Sequence, residues 1–192
     1  MKNREEISPK RERKSITTYQ LTMLGLMTAL LCILGPVSIP ISEGVPFSFT
    51  NLVIYLMVYL LGGRNGTICV GLYLLIGGIG LPVFSSYGGG IGKLLGPTGG
   101  YLIGFIFMAA ICGIFLKAGK RNIWIYLLGM VLATLVTYTF GSLWFMFDQK
   151  RNLMQTLSVC VFPFLIGDGM KIAAITIIAP LIHKRLVKAG VL

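Results

Sequence analysis

Two charged residues lie inside an apolar run near the end of the chain. The run, FLIGDGMKIAAITIIAPLI, extends from Phe164 to Ile182 and contains Asp168 and Lys171. A charge at the centre of a bilayer costs roughly 2.5–3.5 kcal/mol, so intramembrane ionisable side chains usually face a cavity and serve a function. Helical residues three apart share a face. The spacing therefore predicts a polar floor that offers a carboxylate to NH donors and an ammonium to an anion. The alternative is a self-satisfied pair that only fixes this helix.

A long glycine-rich connection is predicted to lie above this pair. Residues 81–98 read LPVFSSYGGGIGKLLGPT, and an irregular connection of this length is usually functional. Glycine allows the backbone to approach a ligand closely. A helix that begins near Pro163 would put Asp168 about 8 Å below its outer end. We therefore expect Asp168 and Lys171 to open toward the connection and the outside.

Hydropathy predicts the elements that position these residues. The chain is 55% hydrophobic and only 12% charged, about half the charged share of a soluble domain. Apolar runs predict an all-α polytopic membrane protein with six transmembrane helices. The helices are expected at about 17–35, 49–62, 66–80, 99–117, 123–146 and 163–183. Residues 1–14 are predicted to be a disordered cytoplasmic tail, and 15–192 the membrane domain.

The basic residues predict the orientation of the helices. With the N-terminus inside, 13 of the 17 Lys and Arg residues are cytoplasmic, Lys171 is intramembrane, and only Lys93, Lys150 and Arg151 lie outside. This bias predicts a cell-membrane protein with both termini in the cytoplasm and with connections 36–48 and 81–98 facing outward. It also accounts for the net charge of +11. No basic stripe alternates with aromatic residues, so nucleic acid is not an expected partner.

The first predicted helix has one face of small side chains. Thr18, Thr22, Gly25, Ala29 and Cys32 recur at intervals of three and four residues. Such a face allows helix backbones to approach closely within lipid. Two interpretations are open: packing against a neighbour in this chain, or docking onto a partner membrane protein.

The polar residues argue against catalysis and nucleotide binding. After residue 14 the only acids are Glu43, Asp148 and Asp168, with no carboxylate pair, Cys-His pair or metal cluster, so neither an enzyme nor a metal site is predicted. Gly92-Lys93 superficially resembles a phosphate loop, but the flanking glycine and Ser/Thr are missing. An ion-coupled carrier would usually have a second buried acid or a repeat with broken helices. The chain is therefore not expected to draw energy from ATP by itself.

Three motifs resemble one family. GIGLPVFSSYGGGIGKLLGPTGGYLIGF at 78–105 closely resembles the signature region of the biotin-specific substrate-binding components (BioY-like) of energy-coupling-factor transporters. VPFSFTNL at 45–52 and IGDGMK at 166–171 resemble two further elements of the family. Gly25 and Ala29 lie where the family has a small-xxx-small pair, with Gly25 in place of the commoner alanine. The resemblance covers roughly 17–185.

The resemblance implies high-affinity capture of biotin from outside, without a cofactor, and its uptake with a transmembrane coupling component and two cytoplasmic ATPases. The same scaffold with another vitamin is the alternative within this class. The docking face would be Thr18, Thr22, Gly25 and Ala29. Apolar contacts would include Leu81. The site residues implied are Asp168, Lys171, Asn51, Phe84, Tyr87, Gly88, Gly89, Lys93 and Tyr101. Whether Asp168 or Asn51 takes the ureido ring, and which lysine takes the carboxylate, is left open.

Overall fold

A computed structural model describes residues 18–41 and 45–190 of the 192-residue chain. The predicted tail at 1–14 and Glu43 lie outside these residues. The described chain is mostly helical, and each of the six predicted segments overlaps a helix. In chain order the elements are α1 (Thr18–Leu34), β1 (Ser38–Pro40), β2 (Pro46–Ser48), α2 (Thr50–Leu61), α3 (Gly63–Gly78), α4 (Ile91–Leu95), α5 (Gly99–Ala118), α6 (Ile123–Gln149), α7 (Leu153–Cys160) and α8 (Phe162–Lys188).

Three described segments are long and apolar enough to cross a membrane. They are Gly99–Ala118, Ile123–Gln149 and Leu153–Lys188, the last of which combines α7 and α8. Helices α1 and α2 are apolar but shorter. The 12 residues of α2 extend about 18 Å, against a hydrocarbon core of about 30 Å. Helix length alone therefore identifies three of the six predicted spans in the described chain.

The expectation of an entirely helical chain misses one hairpin. Strands β1 and β2 pair antiparallel, with Ser38 opposite Ser48 and Ile39 opposite Phe47. Each strand has only three residues, which is too short for an alternating pattern to identify it. The hairpin directs Phe47 and Ser48 toward α8, where they contribute to the site described below.

The connection 81–98 is ordered by hydrogen bonds to the helices. It contains a 3₁₀ turn at Ser85–Tyr87 and the short helix α4, so the structureless connection suggested by its glycines is wrong in this respect. The amide of Gly90 donates to the carbonyl of Gly77 at 2.7 Å. The indole Nε1 of Trp144, on α6, donates to the carbonyl of Gly96 at 3.0 Å. These bonds hold the connection across the end of the bundle.

Helix α2 is the centre of the core. It contacts α1, α3, α5 and α8, and most of its side chains, including Ile54 and Met57, are fully buried. Neighbouring helices approach closely where two glycines meet. A Cβ atom on Gly63 would overlap the backbone of Gly113, so α3 can cross α5 there only without side chains. This packing leaves a cavity at one end, between α5, α6 and α8.

Candidate ligand-binding site

The cavity lies beneath the hairpin and the connection 81–98. It contains about 630 Å³ of space between atoms, the open mouth included. Its wall is formed by side chains from β2, the connection, α2, α5, α6 and α8. One end of the bundle therefore has a concave site lined by several elements that are distant in the chain.

The polar floor of the cavity is the Asp168–Lys171 pair. Lys171 Nζ donates to Asp168 Oδ1 at 2.8 Å, and the two residues are only 5% and 4% exposed. The hydroxyl of Tyr138 donates to Asp168 Oδ2 at 2.6 Å. Each carboxylate oxygen has two lone pairs, so Asp168 can still accept a hydrogen bond from a ligand. The predicted pairing of the two charges is present, and both line the cavity rather than an open surface.

The ammonium of Lys171 is surrounded by protein groups. Besides Asp168, it donates to the carbonyl of Ser48 at 2.6 Å. Its third side faces the ring of Phe47, with Nζ 3.6 Å from the centroid, a distance at which a cation–π attraction is substantial. An ammonium has three donors, and these three neighbours occupy its surroundings. Lys171 therefore orients the Asp168 carboxylate and has little capacity left for a second anion.

The remaining wall combines apolar surface with a few polar side chains. Phe84, Leu102, Phe105 and Met108 are buried and line the cavity. Polar groups are contributed by Asn51, Lys93, Thr98, Tyr101, Thr134 and Thr137. Such a lining suits a ligand with an apolar body and polar groups at its ends.

Six of the nine predicted site residues line the cavity: Asp168, Lys171, Asn51, Phe84, Lys93 and Tyr101. Tyr87, Gly88 and Gly89 do not line it, and neither does Leu81. The Tyr87 side chain is 70% exposed. Gly88 lies beside the stem of Lys93, where a Cβ atom would come within 3.0 Å of the Lys93 side chain. Because Gly88 has no side chain, it leaves room for Lys93, which lines the cavity.

Several residues of the site were missed from the sequence. Tyr138 lies on α6, 30 positions before Asp168, so no spacing within one helix links the two residues. Phe47 and Ser48 belong to the motif VPFSFTNL, but their contact with Lys171 depends on the hairpin. One signal for Tyr138 was available in the sequence. Thr137 follows Thr134 by three residues and Tyr138 follows it by four, so the three hydroxyl groups lie on one side of the helix.

The small face of α1 lies on the outside of the described bundle. Thr18, Thr22, Gly25 and Ala29 are exposed, and Cys32 is half-buried. A Cβ atom on Gly25 would have no heavy atom within 4 Å. The opposite face of α1, including Leu24 and Leu31, is buried in the core. The interpretation as packing within this chain is therefore not supported by the described residues.

Comparison with known proteins gives the family. The model of the BioY family matches residues 8–188. The chain belongs to the BioY family. Its similarity to named relatives extends over most of both chains. It is 36% identical over 160 residues, 83% of this chain and 93% of the other, to the biotin transporter BioY of Thermotoga maritima (strain ATCC 43589 / DSM 3109 / JCM 10099 / NBRC 100826 / MSB8). It is 35% identical to the biotin transporter BioY of Lactococcus lactis subsp. cremoris (strain MG1363), covering 88% of this chain and 91% of that one.

A solved structure has the same fold as this BioY-family chain. The crystal structure of the S-component for biotin from an ECF-type ABC transporter matches with a TM-score of 0.81 and 32% sequence identity. The match covers 88% of this chain and 95% of the other. The cavity and its charged floor therefore lie in the fold of an S-component for biotin.

Proposed function

We propose that this protein binds biotin from outside the cell and delivers it inward as the substrate-binding subunit of an ATP-driven energy-coupling-factor transporter. The single observation that carries the proposal is the cavity with a buried Asp168–Lys171 floor in a BioY-family fold. The named relatives are biotin transporters, and the solved structure is an S-component for biotin.

The chemistry of biotin matches the two kinds of surface in the cavity. The ureido ring offers two N–H donors and one carbonyl acceptor. Asp168 accepts from an N–H, and the half-buried amide of Asn51 serves the same ring. The thiophane ring and valerate chain are apolar and pack on Phe84, Leu102 and Phe105. Hydrogen bonds to a charged group contribute about 1.5–3 kcal/mol each, so Asp168 is expected to dominate recognition of the ring.

We assign the carboxylate of biotin to Lys93 rather than Lys171. The surroundings of Lys171 Nζ are occupied by Asp168, Ser48 and Phe47. Lys93 lies on α4 in the wall of the same cavity and is half-buried. It has no ion-pair partner among the described residues. A ligand with its ring on the floor and its chain toward the connection 81–98 brings its anion to Lys93. Tyr87, Gly88 and Gly89 support this wall without contacting the ligand.

The proposed topology has six crossings and cytoplasmic termini. Three of the described segments span by length and composition. Helices α1, α2 and α3 complete six crossings when they tilt or thin the surrounding bilayer, as short helices do. The distribution of Lys and Arg supports the orientation. It puts the cavity at the outer side, residues 1–14 in the cytoplasm, and 15–192 in the membrane domain.

Delivery of biotin requires partners, because no nucleotide motif occurs in this chain. We propose a transmembrane coupling component and two cytoplasmic ATPase subunits. The exposed face of Thr18, Thr22, Gly25 and Ala29 is the proposed contact with the coupling component. Small side chains allow the close backbone approach on which helix association in lipid depends.

The experiment that tests the ligand begins with the protein as purified from cells in detergent. Mass spectrometry of copurifying small molecules should detect biotin, and equilibrium binding of labelled biotin should saturate at one molecule per chain. Lys93→Met should weaken binding about tenfold or more, because one charge-assisted hydrogen bond is lost. Lys150→Met is the matched control, since Lys150 is exposed and does not line the cavity. Copurification of another vitamin, with no competition by biotin, would refute the proposed substrate.

A further inference from the structure

A second concave surface, which we call the basic groove, lies at the opposite end of the bundle. It is formed by the α2–α3 turn and the end of α5 with its following turn. Along α5, Tyr101 lines the biotin cavity and Lys117 lines the basic groove. At 1.5 Å per residue the two positions are about 24 Å apart. The groove is therefore separate from the biotin site.

The basic groove gathers cations without a described counter-charge. Among residues 18–41 and 45–190, the charged side chains that line it are all basic: Arg64, Lys117, Lys120 and Arg121. Arg121 is held in place, because Nη1 donates to the carbonyl of Tyr59 at 2.9 Å. Arg64, Lys117 and Lys120 are exposed and have no ion pair among the described residues. Like charges gathered around one concavity favour an anion between them.

The start of α3 adds to the attraction for an anion. The N-cap residue, Gly62, supplies no side-chain hydrogen bond to the first turn. Gly62 has a φ of 84°, a conformation that glycine adopts readily, and both Gly62 and Gly63 line the groove. Amide groups at a helix N-terminus favour negative charge. They supplement the four side chains, which define the site.

The other part of the basic groove is apolar. Ala110 and Ile114 of α5 line it, and Ile114 is 64% exposed. Helix α5 is one of the membrane-crossing segments, so this apolar strip continues from the charged end into the hydrocarbon. A small soluble anion would leave the strip uncovered. An anion that carries an acyl chain covers both parts at once.

We propose that the basic groove binds an anionic phospholipid, with the phosphate between Arg64, Lys117 and Lys120 and an acyl chain along Ala110 and Ile114. A phosphate accepts several charge-assisted hydrogen bonds, and basic pockets between membrane helices suit lipid head groups. The lipid would join the α2–α3 turn to the end of α5. That junction is the place where Gly63 and Gly113 meet without side chains between them.

Native mass spectrometry of the full chain in detergent tests the proposal with two lipids of equal chain length. Dioleoyl phosphatidylglycerol should remain bound to wild-type protein as a single molecule, and dioleoyl phosphatidylcholine should not. Each neutralised cation near a phosphate should weaken binding about fivefold, so Lys117→Gln/Lys120→Gln should lose roughly 25-fold. Biotin binding by this variant should be unchanged, which reports that it is folded.

The matched control is Lys184→Gln/Arg185→Gln. Both residues are exposed near the end of α8 and do not line the groove. Their replacement removes the same amount of charge as Lys117→Gln/Lys120→Gln. The control should retain phosphatidylglycerol within about twofold of wild type. Equal losses in the two variants would overturn the proposal, because diffuse attraction to a basic surface would then explain binding. Glycerol 3-phosphate that displaces the lipid at comparable concentration would also overturn it, since the acyl chain would have no role.

Discussion

Removal of Lys171 alone, and removal of both charges of the Asp168–Lys171 pair, should change the stability of the protein by very different amounts. Lys171 donates to Asp168 at 2.8 Å and to Ser48 at 2.6 Å, and both charges are buried. Lys171→Met keeps most of the side-chain volume but leaves the Asp168 carboxylate buried, with Tyr138 as the remaining side-chain donor to it among the described residues. Asp168→Asn leaves the reverse problem, a buried ammonium with no counter-charge.

The magnitude follows from the burial of the pair. The removal of one partner of a buried ion pair costs about 3–5 kcal/mol, whereas replacement of both by groups of similar volume is often close to neutral. We expect Lys171→Met and Asp168→Asn each to lower the free energy of unfolding by about this amount. The double variant Asp168→Asn/Lys171→Met should recover most of the loss. Thermal unfolding without ligand, in detergent, ranks the stability of the wild-type protein, the two single variants and the double variant.

The double variant should regain stability without regaining the affinity for biotin. The double variant lacks the carboxylate that we propose accepts the ureido N–H, and a hydrogen bond to a charged group contributes about 1.5–3 kcal/mol. Its affinity should therefore be about tenfold to 150-fold below that of wild type. Equilibrium binding of labelled biotin provides the measurement. Arg151→Ala is the control: Arg151 does not line the cavity, and its loss should change affinity less than twofold.

A stable double variant that binds biotin like the wild-type protein would refute this reasoning, because the pair would then only fix α8. Failure of the double variant to regain stability would refute the other half of the argument. In that case the carbonyl of Ser48 and the ring of Phe47, which both contact Lys171, would contribute more than the Asp168 carboxylate.

Two further predictions concern the connection 81–98 and the small face of α1. Residues 84–98 should cover the site and become more ordered on binding, so hydrogen exchange and outer-side proteolysis should fall when biotin is added; no change at saturating biotin would exclude this role. Gly25→Leu should retain biotin binding, since a side chain there meets no atom within 4 Å of its Cβ, but should lose copurification with the coupling component and ATP-dependent uptake. If Gly25→Leu lost biotin binding but still copurified with the coupling component, the small face of α1 would instead pack inside the folded chain.

The sequence alone determined those features that depend on local pattern. Six apolar runs, with glycine and proline at their ends, predicted the six helices, because hydrocarbon requires each segment to satisfy its own backbone hydrogen bonds. Asp168 and Lys171 share a face by helical geometry, so their pairing was also predictable. The motif at 78–105 placed Phe84, Lys93 and Tyr101 in one segment, and the small face of α1 followed from its spacing.

Tertiary structure decided which residues meet across the chain. Tyr138 contacts Asp168 from another helix. Lys171 is contacted from the hairpin by Phe47 and by Ser48, which is 123 residues away in the chain. These contacts are the basis for the different roles that we propose for the two lysines: protein groups surround the ammonium of Lys171, whereas Lys93 lines the cavity without an ion pair among the described residues. The exclusion of Tyr87, Gly88 and Gly89 from the cavity wall likewise depends on how the connection folds over α3. The basic groove arises in the same way, because Arg64 and Lys117 line one surface where Gly63 and Gly113 let two helices cross closely. Such contacts are set by close packing between distant segments, and no periodicity within one segment specifies them.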